Sequence, residues 1–271
     1  MRRVCATIFV AVLWSLAGCN DQPTQSAQTA QRRYVSLSPA ITDMMVKSHV
    51  GDLLVGRSAY CRDAVDLPVA GDLENINAEM LVRLHPTHIF VQRRNDDIDA
   101  GLLKLADQHQ WEIIAQPLKD LEDVVHFLHI FAALDGRSMI KSQCQLWKDQ
   151  IAASLVPQAT PSGTRVMIVS GGPAPLAWGG QTYVGEVLTA AGGVNVLPDS
   201  AWQAVSHEDI ARLAPELLLV IGQEARPEDW PSACGEVVPL RQKWLDMPGP
   251  HVAEIRREFD QLLASRPAYT D

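Results

Sequence analysis

Four aromatic residues lie in predicted loops and carry the clearest chemistry of the chain. They are Tyr60, Trp178, Trp202 and Trp244, and Trp178 belongs to a loop rich in Gly and Pro that spans 170–183. In open α/β sheets, ligands bind beyond the carboxyl ends of the strands, which is where these loops are expected. Tyr and Trp bury a large flat surface and keep one polar atom for a hydrogen bond. The four residues predict a site for a large, flat, partly apolar ligand; the alternative is that each packs over its own core.

Cys61 follows Tyr60 and adds a candidate ligand for a metal that the bound molecule carries. A thiolate is a soft donor that suits cobalt or iron, and the alternative is a small residue that only packs. Beyond the N-terminal segment the chain has three cysteines, Cys61, Cys144 and Cys234. An odd number leaves at least one thiol unpaired within the chain, and the spacing does not decide whether two of them form a disulfide.

Other chemistries find less support in the sequence. The pairs His85 and His88, or His126 and His129, could each place two imidazoles together, but a zinc site needs three or four converging ligands. We therefore expect no metal site. The chain has no Gly-x-Ser-x-Gly elbow, His-Glu-x-x-His, P-loop or Gly-x-Gly-x-x-Gly fingerprint. A binding protein is favoured over an enzyme, which stays an alternative because missing motifs do not exclude catalysis.

An internal repeat indicates the elements that position these residues. Residues 77–91 and 206–220 share Glu, Arg, Leu and Pro at the same relative positions, each followed by an apolar run. Each copy predicts a short capped helix that a proline stops, leading into a buried strand. Alternating strands and helices predict a mostly parallel sheet flanked by helices in each half. The fold class is therefore α/β with two lobes, 34–117 and 158–271.

The segment 118–157 between the lobes has apolar residues at helical spacing. Asp135-Gly136 divides it, because Gly adopts the left-handed conformation that ends a helix, and the Ser138 hydroxyl is expected to cap the next helix. The segment thus predicts two helices, of which the second is a long spine joining the lobes.

The N-terminal sequence predicts that the protein is exported. A positive start and an apolar run end in Leu-Ala-Gly-Cys at 16–19, which resembles a bacterial lipobox. Residues 1–18 are expected to be a lipoprotein signal peptide, with Cys19 lipidated as the mature N-terminus, and 19–33 a flexible tether. The alternative is an ordinary signal peptide with an incidental cysteine. The net charge of −9 disfavours nucleic acid and anionic membrane surfaces as binding partners.

Taken together, several short motifs resemble those of one known family. They are the segments 34–39, 56–61, 77–79 and 202–208, together with the spine, and the likeness runs from Tyr34 to the C-terminus. These segments resemble the helical-backbone substrate-binding proteins of bacterial ABC importers, and most of all their cobalamin-binding, BtuF-like type. The resemblance implies two lobes on one spine helix, a ligand in the cleft, and one surface Glu per lobe that docks into arginine pockets of the permease. Glu79 and Glu208 match those two positions.

The resemblance also implies the ligand class. Tyr60, Trp202 and Trp244 match positions where cobalamin binders place aromatic contacts, and Trp178 lies nearby. One departure is the stretch Gly71-Asp72-Leu73, where the best-known member has a Trp before the Glu motif of the first lobe. The expected protein is a lipid-anchored, monomeric binding protein at the periplasmic or outer face of the cytoplasmic membrane, which delivers a corrinoid to a permease dimer. The alternatives are another metal chelate, haem or a ferric siderophore, or a tethered sensor or scavenger without a permease.

Overall fold

The computed structural model describes residues 32–172, 174–221, 226–240, 245, 247–264 and 266, and these form two α/β lobes. The strands of the first lobe are β1 (Tyr34–Ser36), β2 (Leu54–Ser58), β3 (Val69–Gly71), β4 (His88–Val91) and β5 (Glu112–Ala115). Its helices are α1 (Pro39–Lys47), α2 (Ala78–Leu84) and α3 (Ala100–His109). No described helix is long and apolar enough to cross a membrane.

The first sheet is entirely parallel, in the order β3-β2-β1-β4-β5. The chain moves outward from β1 to β3 and then returns to the other side of β1 as β4. Open α/β sheets form a crevice where the strand order reverses in this way, beyond the carboxyl ends of the two central strands. The crevice of this lobe therefore lies just after Ser36 and Val91.

Two helices follow the first lobe, α4 (Leu121–Asp135) and α5 (Ser138–Ser154), divided at Gly136 as predicted. Gly136 adopts the left-handed conformation, with φ of 76°. The predicted cap at Ser138 is wrong. Ser138 is already the first residue of α5, and its N-cap is Arg137, which makes no side-chain capping hydrogen bond.

Helix α5 is the spine that joins the lobes. Just before it begins, Arg137 Nη1 lies 3.9 Å from Asp52 of the first lobe. At its end, the Ser154 carbonyl accepts a 2.6 Å hydrogen bond from Arg256 of the second lobe. Its 17 residues correspond to a length of about 25 Å. A single continuous helix therefore fixes the separation of the lobes.

The second lobe contains a mixed sheet of six strands. These are β6 (Arg165–Ser170), β7 (Leu176–Trp178), β8 (Val194–Asn195), β9 (Trp202–Ala204), β10 (Leu217–Ile221) and β11 (Glu236–Leu240), with helices α6 (Tyr183–Ala190), α7 (His207–Leu213) and α8 (Val252–Ala264). The order is β11-β10-β6-β7-β9, with β8 beside β6. Strands β6, β8, β10 and β11 run parallel to one another, whereas β7 runs antiparallel to both of its neighbours, β6 and β9. The predicted loop 170–183 thus contains a short strand, β7.

The lobes share one large hydrophobic core, and each lobe also has a smaller core of its own. The shared cluster of buried apolar side chains runs from the first lobe through α4 and α5 into the second lobe. Phe90 of β4 packs edge-to-face against Phe127 and Phe131 of α4, each at 6.3 Å between ring centroids. Tyr183 and Phe259 extend the same cluster in the second lobe. Because protein interiors are close-packed, a large rotation of one lobe would disrupt this core.

The internal repeat is confirmed as two equivalent capped helices, α2 and α7, of seven residues each. The Asn77 side chain accepts a hydrogen bond from the backbone N–H of Met80, and Ser206 accepts one from Asp209. Both helices end in a left-handed residue, His85 or Ala214, and lead into a buried strand. The two lobes therefore present the same short helix in the same local setting.

Asn77→Ala is expected to lower the free energy of unfolding by about 1 kcal/mol, because the first turn of α2 loses its side-chain cap. Urea denaturation followed by circular dichroism measures this loss. Asn77→Asp keeps the accepting oxygen and should unfold like the wild type. An equal loss in both variants would show that the cap is not the source of the stability.

Candidate functional site

A cavity of about 420 Å³ lies at the crevice of the first lobe. Its lining residues are Pro39, Ala40, Tyr60, Arg62, Leu73, Gln92 and Met247. Six of them belong to the first lobe, and Met247 comes from the second. Ligand pockets commonly have volumes of about 300–1,000 Å³. The cavity is therefore large enough to hold part of a bulky ligand between the lobes.

The floor of the cavity is built from the start of α1 and the end of β4. Ser38 caps α1, accepting a 3.2 Å hydrogen bond from the Ile41 N–H, and Pro39 occupies the first turn. The Ser38 hydroxyl also donates a 2.7 Å hydrogen bond to Gln92 Oε1. Gln92 directly follows β4. These bonds fix the two segments that meet at the point where the strand order reverses.

Tyr60 lines the cavity, as the position of its loop predicts, and 70% of the residue is exposed. Arg57 of β2 holds this loop by donating hydrogen bonds to the carbonyl oxygens of Ser58, Val65 and Leu67, at 2.9 to 3.1 Å. The Tyr60 ring therefore stands on an anchored loop with much of its surface open to a ligand. Its contact with a ligand stays a prediction.

Cys61 is only 7% exposed and is not among the residues that line the cavity. Its Sγ lies 3.1 Å from Thr42 Oγ1 of α1. Burial raises the pKa of the thiol, and the hydrogen bond with Thr42 only partly opposes this, which keeps the sulfur protonated near neutral pH. This placement favours packing over metal ligation. Cys61, Cys144 and Cys234 are all free thiols, so none forms a disulfide.

Trp178 and Trp202 form an aromatic pair in the second lobe, outside the lining of the 420 Å³ cavity. They face each other across β7 and β9, with ring centroids 5.7 Å apart and planes at 74°. Trp178 is 8% exposed and also packs against Tyr183, whereas Trp202 is 37% exposed on the outermost strand. Trp178 thus supports the ring of Trp202, which offers the accessible face. Trp244 lies outside the described residues.

Of the seven lining residues only Tyr60 was predicted as a ligand contact; the six others were not, namely Pro39, Ala40, Arg62, Leu73, Gln92 and Met247. Gln92 comes directly after a buried strand, so the rule that placed Tyr60 could also have found it. Met247 approaches from the second lobe, and no sequence pattern indicates that approach. Within the described residues, no three His, Cys, Asp or Glu side chains form a group that could hold a metal ion.

Glu79 and Glu208 occupy matching places in the repeated helices. Each lies in the first turn, of α2 and of α7 respectively, and each is exposed. Neither carboxylate makes an ion pair or hydrogen bond with another described side chain. Both charges are therefore available to a partner, one on each lobe.

Known proteins resemble the chain in sequence and in fold. No protein-family model matches it. It is 26% identical over 263 residues to the vitamin B12-binding protein of Yersinia pestis, covering 90% of each chain. Periplasmic vitamin B12 binding protein BtuF of Vibrio cholerae aligns with a TM-score of 0.73 and 18% identity, over 86% of this chain and 97% of that one. The fold is that of the BtuF-like substrate-binding proteins.

A second solved structure shares this BtuF-like fold. The periplasmic haem-binding protein HutB of Vibrio cholerae aligns with a TM-score of 0.70 and 16% identity, over 86% of this chain and 99% of that one. The resemblance inferred from the short motifs is thereby confirmed. These relatives are binding proteins rather than enzymes, in agreement with the prediction made from the sequence.

A charged cluster beside the cavity connects the two lobes of this BtuF-like fold. Asp43 Oδ2 of α1 lies 3.3 Å from Nε2 of His251, which directly precedes α8, and Lys47 Nζ lies 2.6 Å from the same nitrogen. Lys47 also pairs with Asp43. Burial alone would raise the pKa of Asp43, but hydrogen bonds from His251 and Lys47 outweigh it and lower that pKa. The pKa of Asp63 is raised instead, first by burial and then by the neighbouring Asp43 carboxylate.

Asp43→Asn is expected to lower the free energy of unfolding by about 2 kcal/mol at pH 7, since the charged hydrogen bonds between the lobes are lost. A carboxyl whose pKa is lower in the folded state stabilises the protein above its unfolded pKa of about 3.9 and ceases to do so as the pH falls through the folded pKa. The difference from wild type should therefore shrink below about pH 4.

Denaturant unfolding at pH 7 and pH 3 measures this difference. The matched control is Asp66→Asn, which removes an exposed carboxylate in the neighbouring loop and should change little at either pH. A destabilisation by Asp43→Asn that is the same at both pH values would show that its charge does not stabilise the fold.

Proposed function

We propose that the chain is the substrate-binding protein of an ABC importer and that it captures a corrinoid between its lobes. The observation that carries this proposal is the cavity of about 420 Å³ in a BtuF-like fold, lined by Tyr60 on one lobe and Met247 on the other. Relatives named vitamin B12-binding proteins match 90% of the chain, which favours a corrinoid. The haem-binding structure with the same fold makes haem the second candidate.

Capture would use surfaces that exist before the ligand arrives. The Tyr60 ring stands on an anchored loop, and the accessible face of Trp202 is supported from behind by Trp178. Aromatic faces suit a flat macrocycle, because they bury a large area with little loss of side-chain freedom. The shared core limits movement of the lobes, so binding would need only a small closure. Trp244 belongs to the same proposed set of ligand contacts.

Delivery of the ligand to the permease would use the repeated helices, α2 and α7. Glu79 and Glu208 each offer a free carboxylate on an exposed first turn, one per lobe. A carboxylate accepts two parallel hydrogen bonds from an arginine, and a permease dimer with two-fold symmetry would offer two equivalent arginine pockets. The spine fixes the distance between the carboxylates, so both would engage at once.

The site of action would be the cell envelope. The Leu-Ala-Gly-Cys sequence supports lipidation of Cys19, and both residue 19 and the tether lie outside the described residues. Metabolic labelling with a radioactive fatty acid tests the anchor: the wild type should be labelled and Cys19→Ser should not.

Calorimetric titration of the purified chain tests the ligand class, with cyanocobalamin, haemin and ferrichrome as separate ligands. The proposal predicts tight one-to-one binding of cyanocobalamin and weaker or no binding of the other two. Binding of haemin or ferrichrome, but not of cyanocobalamin, would support the same role in transport with a different class of ligand. Binding of none of the three would contradict the proposed function and favour a protein of another class.

A further inference from the structure

Two cavities meet at Gln92. The larger is the cavity between the lobes, and the smaller, of about 260 Å³, lies on the first lobe. Leu73 and Gln92 line both of them. A ligand held between the lobes would therefore have a side cavity next to its edge, with the Gln92 side chain at the junction.

A hydrogen bond to its oxygen fixes the orientation of the Gln92 amide. Its Oε1 accepts the 2.7 Å hydrogen bond from the Ser38 hydroxyl, and Ser38 is itself held by its capping bond with Ile41. Because Oε1 is occupied, Nε2 is the atom left for other contacts, and it makes no hydrogen bond with another described residue. An amide nitrogen carries two donors. The junction thus presents an N–H donor that is available to a ligand.

The side cavity has a negative lining. Asp97 and Asp99 lie on its wall, and its cation, Arg93, is already engaged. Arg93 donates to the Leu73 carbonyl and makes a 3.0 Å ion pair with Glu74. A carboxylate substituent entering this cavity would meet an excess of negative charge, because four acidic residues and one arginine are among its lining residues: Asp72, Glu74, Asp97, Asp99 and Arg93. A neutral carboxamide could accept from Gln92 through its oxygen and direct its N–H groups toward the acidic wall.

We propose, building on the proposed function, that Gln92 is a specificity-determining residue that selects ligands with peripheral carboxamides over ligands with peripheral carboxylates. A corrinoid such as cyanocobalamin carries carboxamide groups around its ring, whereas haem carries two carboxylates. The choice between a corrinoid and haem would then depend on the Gln92 N–H donor and the acidic side chains beside it, as well as on the aromatic surfaces. On this wall the chain has Leu73 and Gln92 rather than a second aromatic ring.

The test compares cyanocobalamin with its monocarboxylic acids, in which one ring amide is hydrolysed to a carboxylate. Calorimetry with the full chain should show at least one acid binding about ten-fold more weakly than cyanocobalamin, as expected for losing a paired hydrogen bond and gaining a repulsive charge. Gln92→Leu should weaken cyanocobalamin binding about five-fold and reduce the preference for the amide. Gln92→Lys should shift the preference toward that same acid, which a purely structural role would not do.

Gln108→Leu, on the exposed C-terminal part of α3, is the matched control and should leave both affinities unchanged. Thermal melting checks that each variant is folded, and the comparison of amide and acid in the wild type needs no variant. If the wild type binds cyanocobalamin but does not distinguish the acids, or Gln92→Lys leaves the preference as it is, the inference is overturned while the proposed function stands. If the wild type binds no macrocycle, both are overturned.

Discussion

Trp202→Ala is expected to weaken binding of the macrocyclic ligand by roughly ten- to a hundred-fold, the loss typical of truncating an aromatic residue that anchors a ligand. Trp202 is 37% exposed, and Trp178 holds its ring edge-to-face from behind. Alanine removes the flat face of the Trp202 ring and leaves Trp178 without its aromatic partner. Calorimetric titration of wild type and variant with cyanocobalamin measures the loss.

Two controls make this result specific. Trp202→Phe keeps an aromatic face and should retain most of the affinity. Trp230→Ala removes another partly exposed tryptophan of the second lobe, one that contacts His207, and should leave binding unchanged. If folded Trp202→Ala binds the ligand as tightly as wild type, the aromatic pair of the second lobe is not part of the site.

The double variant Glu79→Arg with Glu208→Arg is expected to reduce uptake of the ligand to background while leaving ligand binding intact. The reversed charges would face the arginine pockets of the permease on both lobes, and like charges at an interface cost several kcal/mol. Uptake of labelled cyanocobalamin is measured in cells that have the permease but lack the native binding protein. Titration of the same purified variant gives its ligand affinity.

The matched control reverses two other exposed acidic residues, Glu122 and Glu228, which also lie in first turns. It should support normal uptake, because neither residue belongs to the repeated helices. Normal uptake by the Glu79 and Glu208 variant would instead favour a tethered sensor or scavenger that works without a permease.

Much of the fold could be predicted because it depends on local signals. The repeated Glu, Arg, Leu and Pro give two capped helices, and Gly136 divides the helices between the lobes where a left-handed residue is needed. The short strand β7 was not predicted, since three residues are too few to show a strand period. The Ser138 cap failed because α5 starts one residue earlier than the hydroxyl signal suggests.

The site was less predictable, because it depends on how distant segments meet. The strand rule placed Tyr60 correctly at the cavity. The same rule applies to Gln92, but an isolated Gln has no distinctive chemistry until Ser38 fixes its amide. The pairing of Trp178 with Trp202 depends on the register of β7 and β9, which is set by the whole sheet. The orientation of Cys61 toward Thr42 likewise follows from tertiary packing.

The most direct test of the central claim is a crystal structure of the chain with cyanocobalamin. The account predicts the macrocycle between the lobes, touching Tyr60 and Met247 on opposite sides and Trp202 at its edge. It also predicts little displacement of the lobes relative to the unliganded fold, because they share one core. A ligand bound elsewhere on the surface, or a large rotation of one lobe about α5, would contradict it.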